Sequence, residues 1–204
     1  MSEPDFIHRY IPSSTGSARV LLLLHGTGGD ESDMLPIGRE LDPDAAILSP
    51  RGKVLENGAP RFFRRFAEGV FDEEDVMRRA HELADFLAAA AAKYAFALDR
   101  VTAVGYSNGA NIAAAMMLLR PEAIREAVLF RAMVTLSNPP QSDLSGRAVL
   151  ISAGRRDPII PLENAQRLTS ALQQAGATVQ LEVQEASHAL VQGDLVVAKS
   201  FLGR

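Results

Sequence analysis

A serine flanked by glycines, at the junction of a strand-like and a helix-like segment, limits the possible folds of this chain more than any other feature. Residues Gly105–Gly109 read Gly-Tyr-Ser-Asn-Gly, after the β-branched run 101–104 and before the helix-like stretch 110–119. A serine in a sharp strand-to-helix turn projects its hydroxyl out of the sheet, and side chains at the two glycine positions would collide. Glycine-flanked serines also occur in ordinary turns, but this position predicts the strained turn, with Ser107 exposed.

An exposed serine hydroxyl becomes a nucleophile when a general base takes its proton, and histidine is the usual base. The chain has four histidines, and His188 is the one that lies C-terminal to Ser107. In the chain order that accompanies this type of turn, an acid and then a histidine follow the serine. His188 also follows the alternating segment 178–183, which predicts a late strand. We therefore predict that His188 is the base, the alternative being an ordinary loop histidine.

An acid is expected between Ser107 and His188, where it would orient the imidazole. The aspartates in that interval are Asp143 and Asp157. Asp143 lies in a turn-rich connection, whereas Asp157 follows the apolar segment 148–153 after a short loop. Because ligand chemistry concentrates where parallel strands end, we predict that Asp157 is the acid. The alternatives are a pair with Arg155 or a cap on the following helix.

A glycine-rich loop early in the chain predicts where a negatively charged oxygen would be stabilised. The continuously apolar run 19–24 indicates a buried parallel strand, and it leads into residues 25–30, His-Gly-Thr-Gly-Gly-Asp. With a serine nucleophile, the donors are the backbone N–H after the serine and one from such a loop, here Asn108 and Thr27. The loop lacks the glycine spacings of nucleotide-binding motifs. His25 is interpreted as a residue that steadies the loop.

Composition limits the class of protein. A chain of 204 residues that is 47% hydrophobic can bury a core as a single domain, 1–204. We see no apolar stretch of membrane-spanning length and no secretory signal core, and we expect a cytoplasmic protein. Cysteine is absent, which excludes disulfides and thiolate metal sites. The net charge of −4 argues against nucleic-acid binding, and no cofactor or metal is expected.

Strand-like and helical patterns alternate along the chain, which predicts an α/β fold with a mostly parallel sheet and helices on both faces. The expected strands are 6–11, 19–24, 45–48, 101–104, 133–136, 148–153 and 178–183. The expected helices are 34–41, a long helix that begins after Asp72 and runs to Tyr94, 110–119, 162–174 and 190–202. No insertion is long enough for a full cap domain.

Segment 51–71 has no clear periodicity and mixes phenylalanines with arginines. It should lie near the C-terminal ends of the strands. One hypothesis places Arg61, Phe62 and Phe63 at the substrate. The alternative is that the phenylalanines fill the core while the arginines form surface pairs with acidic neighbours such as Asp72.

Together these motifs resemble the phospholipase/carboxylesterase family of α/β-hydrolases, which includes acyl-protein thioesterase-like enzymes. The likeness runs from Leu21 to the Ser-His-Ala-Leu turn at 187–190. Within the family, Pro50-Arg51-Gly52 and segment 55–72 are most similar to small bacterial carboxylesterases associated with quinone and hydroquinone stress. The resemblance implies an α/β-hydrolase fold without a full cap. It also implies hydrolysis of small to medium carboxylic esters by Ser107, Asp157 and His188, without a cofactor.

Other activities stay open on the same residues. A thioesterase, an amidase or a lysophospholipase-type acyl hydrolase would use the same machinery with a different pocket. A non-catalytic binding protein on this fold is less favoured, because all three triad candidates are present. Ser187 stands where the family often has glycine, and Thr27 where thioesterase-like members tend to carry an apolar residue. The expected partner is a small-molecule ester, and the expected assembly is a monomer or a homodimer.

Overall fold

A seven-stranded sheet forms the centre of the fold in the computed structural model, which describes residues 6–203. Its strands are, in spatial order, β1 (His8–Ile11), β3 (Ala46–Pro50), β2 (Val20–Leu24), β8 (Val101–Tyr106), β9 (Glu126–Phe130), β10 (Ala148–Gly154) and β11 (Thr178–Gln184). Strand β1 pairs antiparallel with β3, and every other pair is parallel. The mostly parallel α/β arrangement predicted from the sequence is therefore confirmed.

Helices cover both faces of the sheet, as two separate apolar clusters show. The helices are α1 (Leu35–Leu41), α2 (Glu73–Tyr94), α3 (Asn108–Leu119), α4 (Leu162–Gln174) and α5 (Gln192–Leu202). The larger cluster joins one face of the sheet to α2, α3 and α4, and the smaller joins the other face to α1 and α5. No helix within residues 6–203 is long and apolar enough to cross a membrane.

Local sequence explains where the longest helix begins and ends. The Asp72 side chain accepts a hydrogen bond from the N–H of Asp75, so it caps α2 as predicted. Acidic residues at 73–75 complement the positive end of the helix dipole. The helix ends where Ala95 adopts the left-handed conformation, with φ of 57°.

Helix α3 is enclosed on every side, which fixes the residue that precedes it. All eleven of its residues from Asn108 to Leu118 are buried, and four of them are alanines. Small side chains let the helix approach β8 and β9 closely. Ser107 therefore stands at the start of an element that cannot shift without disturbing the core.

The strand expected over 133–136 is wrong. The strand in this part of the chain is β9, at Glu126–Phe130, and residues 132–136 are irregular. Arg131 breaks the extended conformation with a φ of 54°. Beyond it, Met133 and Val134 donate their backbone N–H groups to the side chains of Asn111 and Asn164 rather than to a neighbouring strand.

Segment 51–71 forms two small antiparallel hairpins instead of a helix or a long strand. The first pairs β4 (Val54–Glu56) with β5 (Ala59–Arg61), and the second pairs β6 (Arg65–Ala67) with β7 (Val70–Phe71). Strands of two or three residues are too short to show alternation, which explains why segment 51–71 has no clear periodicity.

Candidate active site

Ser107 occupies a strained turn between β8 and α3. Its backbone has φ of 52° and ψ of −114°, and its side chain makes no capping hydrogen bond to the helix. A side chain at 105 would place Cβ 2.6 Å from backbone atoms of Ala110. A side chain at 109 would come within 2.0 Å of the Leu24 carbonyl oxygen. Both glycines are therefore required, the second because of the neighbouring strand rather than the turn itself.

Three predicted side chains form one hydrogen-bonded series. His188 Nε2 lies 3.0 Å from Ser107 Oγ, and His188 Nδ1 lies 2.8 Å from Asp157 Oδ2. Asp157 Oδ1 accepts from the N–H groups of Ile159 and Ile160. Because a carboxylate only accepts, the Nδ1 proton points to Asp157, which leaves Nε2 able to accept the serine proton.

Asp157 takes neither alternative role, because Arg155 pairs with another residue and α4 begins without a side-chain cap. Arg155 pairs with Glu185, at 2.5 Å, rather than with Asp157. The Asp143 carboxylate is exposed and accepts from the N–H of Ser145 within its own turn.

Sheet topology explains the convergence. Ser107 follows β8, Asp157 follows β10 and His188 follows β11, and these strands run parallel. Side chains that follow parallel strands meet at one edge of a sheet. The loop after β2 reaches the same edge and brings Thr27 to it.

Two residues at this edge have backbone N–H groups without an acceptor in the described part of the chain. Within residues 6–203, the N–H groups of Thr27 and Asn108 donate to no protein atom. Asn108 is the first residue of α3, where N–H groups have no partner inside the helix and the dipole favours negative charge. Such donors can stabilise an oxyanion if they point to a common position.

Segment 60–62, which we call the bridging segment, connects the loop that carries Thr27 with the start of α3, which carries Asn108. The Pro60 carbonyl accepts from the N–H of Gly28 at 2.9 Å, and Arg61 Nη1 donates to Thr27 Oγ1 at 2.6 Å. On the other side, the N–H of Phe62 donates to Asn108 Oδ1 at 2.7 Å. This segment therefore links the Thr27 loop to the start of α3 through hydrogen bonds on both sides.

The structure buries the three residues that one hypothesis placed at the substrate. Arg61, Phe62 and Phe63 are 2%, 3% and 0% exposed. The two phenylalanines fill the core, as the alternative proposed, but Arg61 is interior rather than on the surface. Burial lowers the pKa of the Arg61 guanidinium, the charge of Arg65 lowers it further, and Glu56 opposes both.

His25 steadies the early loop, as predicted. It is buried, its Nδ1 lies 2.6 Å from the Gly26 carbonyl oxygen, and its Nε2 accepts from the N–H of Gly52. These bonds need a neutral ring with the proton on Nδ1. Burial lowers the pKa of His25 and so keeps the ring neutral.

Two charged residues near the histidine were absent from the predicted site. The Arg131 side chain, fully buried, pairs with Asp194 and donates to the carbonyl oxygens of Ser187 and Ala189, on either side of His188. Neither residue belongs to a motif, and the one available signal was an arginine within an otherwise apolar stretch.

The largest of the described features away from the triad is a cavity beside α3 and α4. A cavity of about 730 Å³ lies between α3, α4 and the loop 134–142, and none of Ser107, Asp157 and His188 lines it. Across the described residues, no group of three or more histidine or carboxylate side chains could hold a metal ion.

Comparison with known proteins adds independent evidence. The sequence matches the phospholipase/carboxylesterase family over residues 9–204. It is 44% identical over 193 residues to MhqD, a protein of Bacillus subtilis (strain 168) provisionally named a hydrolase, covering 95% of this chain and 96% of that protein. The crystal structure of the Bacillus cereus carboxylesterase is similar with a TM-score of 0.95 and 43% identity, covering 98% of this chain and 94% of that one. A carboxylesterase from Mesorhizobium loti is similar with a TM-score of 0.94 and 30% identity, covering 100% and 97%.

Proposed function

The chain belongs to the phospholipase/carboxylesterase family of α/β-hydrolases, and from this membership we propose that it hydrolyses small to medium carboxylic esters through a Ser107–His188–Asp157 triad. The observation that carries the proposal is the hydrogen-bonded series from Ser107 Oγ through the imidazole to Asp157. The 43% identity to the Bacillus cereus carboxylesterase agrees with the resemblance to small bacterial carboxylesterases.

In the first half of the reaction, Ser107 Oγ attacks the ester carbonyl carbon while His188 Nε2 takes the hydroxyl proton. The tetrahedral intermediate then collapses as the bond from the carbonyl carbon to the leaving oxygen breaks, and His188 returns its proton to that oxygen. The alcohol leaves, and the acyl group stays on Ser107 as an ester. Asp157 keeps the imidazole in the required tautomer and stabilises the imidazolium.

In the second half, water replaces the alcohol. His188 takes a proton from a water molecule as its oxygen attacks the acyl carbon, and then gives a proton back to Ser107 Oγ as the acid leaves. General-base assistance of this kind contributes about 10²–10⁴ in rate.

The N–H groups of Thr27 and Asn108 supply the oxyanion donors in this proposal. Loss of one such donor costs about 10²–10³ in kcat. The burial of Arg61 and Phe62 supports a role for the bridging segment in holding these donors rather than in touching the substrate.

Labelling by a fluorophosphonate probe, together with hydrolysis of p-nitrophenyl acetate, tests the proposal. Wild-type protein should label and turn over the ester, and Ser107→Ala should do neither. Ser170→Ala, which changes an exposed serine on α4, is the matched control and should behave as wild type. Wild-type protein that neither labels nor hydrolyses any ester in a panel from acetate to octanoate would refute the proposed activity.

A further inference from the structure

Arg131 and Asp194 form an ion pair that solvent does not reach. Neither side chain has exposed area, and two N–H groups of Arg131 meet the two carboxylate oxygens at 2.8 Å each. Arg131 also donates to the carbonyl oxygens of Ser152 at 3.1 Å, Ser187 at 3.1 Å and Ala189 at 2.9 Å. All five guanidinium N–H donors therefore have acceptors.

Two of those acceptors, the carbonyl groups of Ser187 and Ala189, flank His188 in the chain. The carbonyl group of His188 itself accepts a hydrogen bond from another side chain, that of Tyr106. The Tyr106 hydroxyl donates to the His188 carbonyl oxygen at 3.2 Å. Burial raises the pKa of Tyr106, so its hydroxyl keeps its proton and stays a donor. Three consecutive carbonyl groups, at 187, 188 and 189, are thus fixed by side chains of other elements.

Asp194 fastens the same loop at its far end. Its carboxylate accepts from the N–H of Val191 at 2.7 Å and from Ser152 Oγ at 2.6 Å. At the near end, Gly154 leaves room for the Ser187 carbonyl oxygen, which would lie 2.4 Å from a Cβ at that position. The loop between β11 and α5 therefore lies close against the end of β10 before His188 and is bonded to β10 through Asp194 and Ser152 after it.

The backbone of Arg131 indicates that this arrangement has a local cost. Its φ of 54° lies in the left-handed region, which is unfavourable for a residue with a side chain. A buried ion pair is also weak evidence for stability, because desolvation offsets its attraction. Because the pair carries these two costs, we infer that its role is to position the carbonyl groups to which Arg131 donates.

We propose that Arg131, held by Asp194, is a positioning residue that fixes the carbonyl groups beside His188 and so keeps the imidazole Nε2 in reach of Ser107 Oγ. This inference rests on the proposed function, since it concerns the same proton transfer. Arg131 touches neither the reacting atoms nor the substrate, so it acts on kcat through His188. A displacement of about 1 Å in such a group can lower the rate about 10²-fold.

Two substitutions and one control test the inference. Arg131→Lys keeps a buried positive charge opposite Asp194 but cannot reach both loop carbonyl groups, and Arg131→Met removes the charge as well. The control is Arg19→Met, because Arg19 also pairs with an aspartate, Asp42, and donates to the Leu202 carbonyl, away from the triad. Melting curves select a temperature at which each variant is folded.

Both Arg131 variants should lower kcat for p-nitrophenyl acetate by about 10- to 100-fold while KM stays within about threefold of wild type. The far-downfield proton NMR signal of the Nδ1 proton shared with Asp157 should broaden or vanish in the Arg131 variants and persist in Arg19→Met. If Arg131→Met does not fold, Arg131→Lys decides.

Folded Arg131 variants with kcat within about twofold of wild type would overturn the inference. So would a loss of folding in both Arg131 variants, which would assign the pair to stability alone. Failure of the proposed function has a different signature, because wild-type protein and Arg19→Met would then also be inactive and unlabelled by a fluorophosphonate.

Discussion

The backbone N–H of Phe62 donates a 2.7 Å hydrogen bond to the side-chain oxygen of Asn108. This bond fastens the bridging segment to the residue that directly follows Ser107. The other end of the segment holds Thr27 through Arg61. The proposed oxyanion site therefore depends on a part of the chain that supplies neither of its two N–H donors.

We expect Asn108→Ala to lower kcat by about 10-fold while its backbone N–H stays in place, since removal of the Oδ1 acceptor frees the bridging segment. Asn111→Ala is the matched control, because Asn111 Oδ1 likewise accepts a backbone N–H, that of Met133, one turn further along α3. Both variants should lose about 1–3 kcal/mol of unfolding free energy. Equal kcat values in the two variants would contradict a role for the Asn108 side chain in the oxyanion site.

Asp157→Asn should lower kcat by about 10²–10⁴-fold, because an amide no longer enforces the imidazole tautomer that accepts the serine proton. Asp143→Asn changes an exposed aspartate in the same stretch of chain and should leave kcat unchanged. Steady-state kinetics at saturating ester would measure both. In the double variant with Ser107→Ala the losses should not add, since the triad acts as a unit.

Gly109→Ala should destabilise the protein by about 3 kcal/mol or more, as its Cβ would come within 2.0 Å of the Leu24 carbonyl oxygen. Gly203→Ala, whose Cβ would meet its nearest neighbour at 3.4 Å, is the control and should change the unfolding free energy by less than about 0.5 kcal/mol. Chemical denaturation of both variants tests this. A Gly109→Ala protein as stable as wild type would mean that β2 and α3 can separate locally.

His25 should make stability fall in mildly acidic solution. Burial lowers its pKa in the folded protein below the value of 6.5 that applies to the unfolded chain. Its contribution is therefore complete above pH 6.5 and decreases as the pH falls from there towards the folded-state pKa, because the unfolded chain takes up the proton first. The decrease from this group approaches about 1.4 kcal/mol per pH unit.

Urea denaturation between pH 5.5 and about 7.5 would measure this slope. His25→Gln should remove the part that belongs to His25, and His81→Gln, which changes an exposed histidine on α2, should leave the slope as it is in wild type. Identical slopes in wild type and His25→Gln would show that the ring is not the group responsible.

Some of this structure could be predicted from sequence because parallel strands impose a simple geometry. Residues that follow such strands arrive at one edge, so the serine motif, the chain order and the predicted strands together indicated that Ser107, Asp157 and His188 meet. The strand predicted at 133–136 was wrong because an apolar run does not reveal a left-handed residue such as Arg131 or amide side chains that take the backbone donors.

The supporting contacts could not be predicted in the same way. Arg131 and Asp194 are separated by 63 positions, and most of the arginine's acceptors are backbone carbonyl groups, which every residue possesses. The contacts of the bridging segment could not be predicted for the same reason. They join the β4–β5 hairpin, which is too short to show periodicity, to a glycine-rich loop and to the start of α3. Contacts of this kind depend on tertiary packing and leave no local pattern.

The enclosure of α3 has a consequence for how the gene can vary. Most surface helices accept polar replacements at every third or fourth position, but residues 108–118 are all buried and offer no such positions. Saturation mutagenesis read out by protein abundance should show an unbroken intolerant block there, in contrast to the periodic profile of α2. Engineering of the candidate active site is therefore better directed at the loops around Ser107 than at α3.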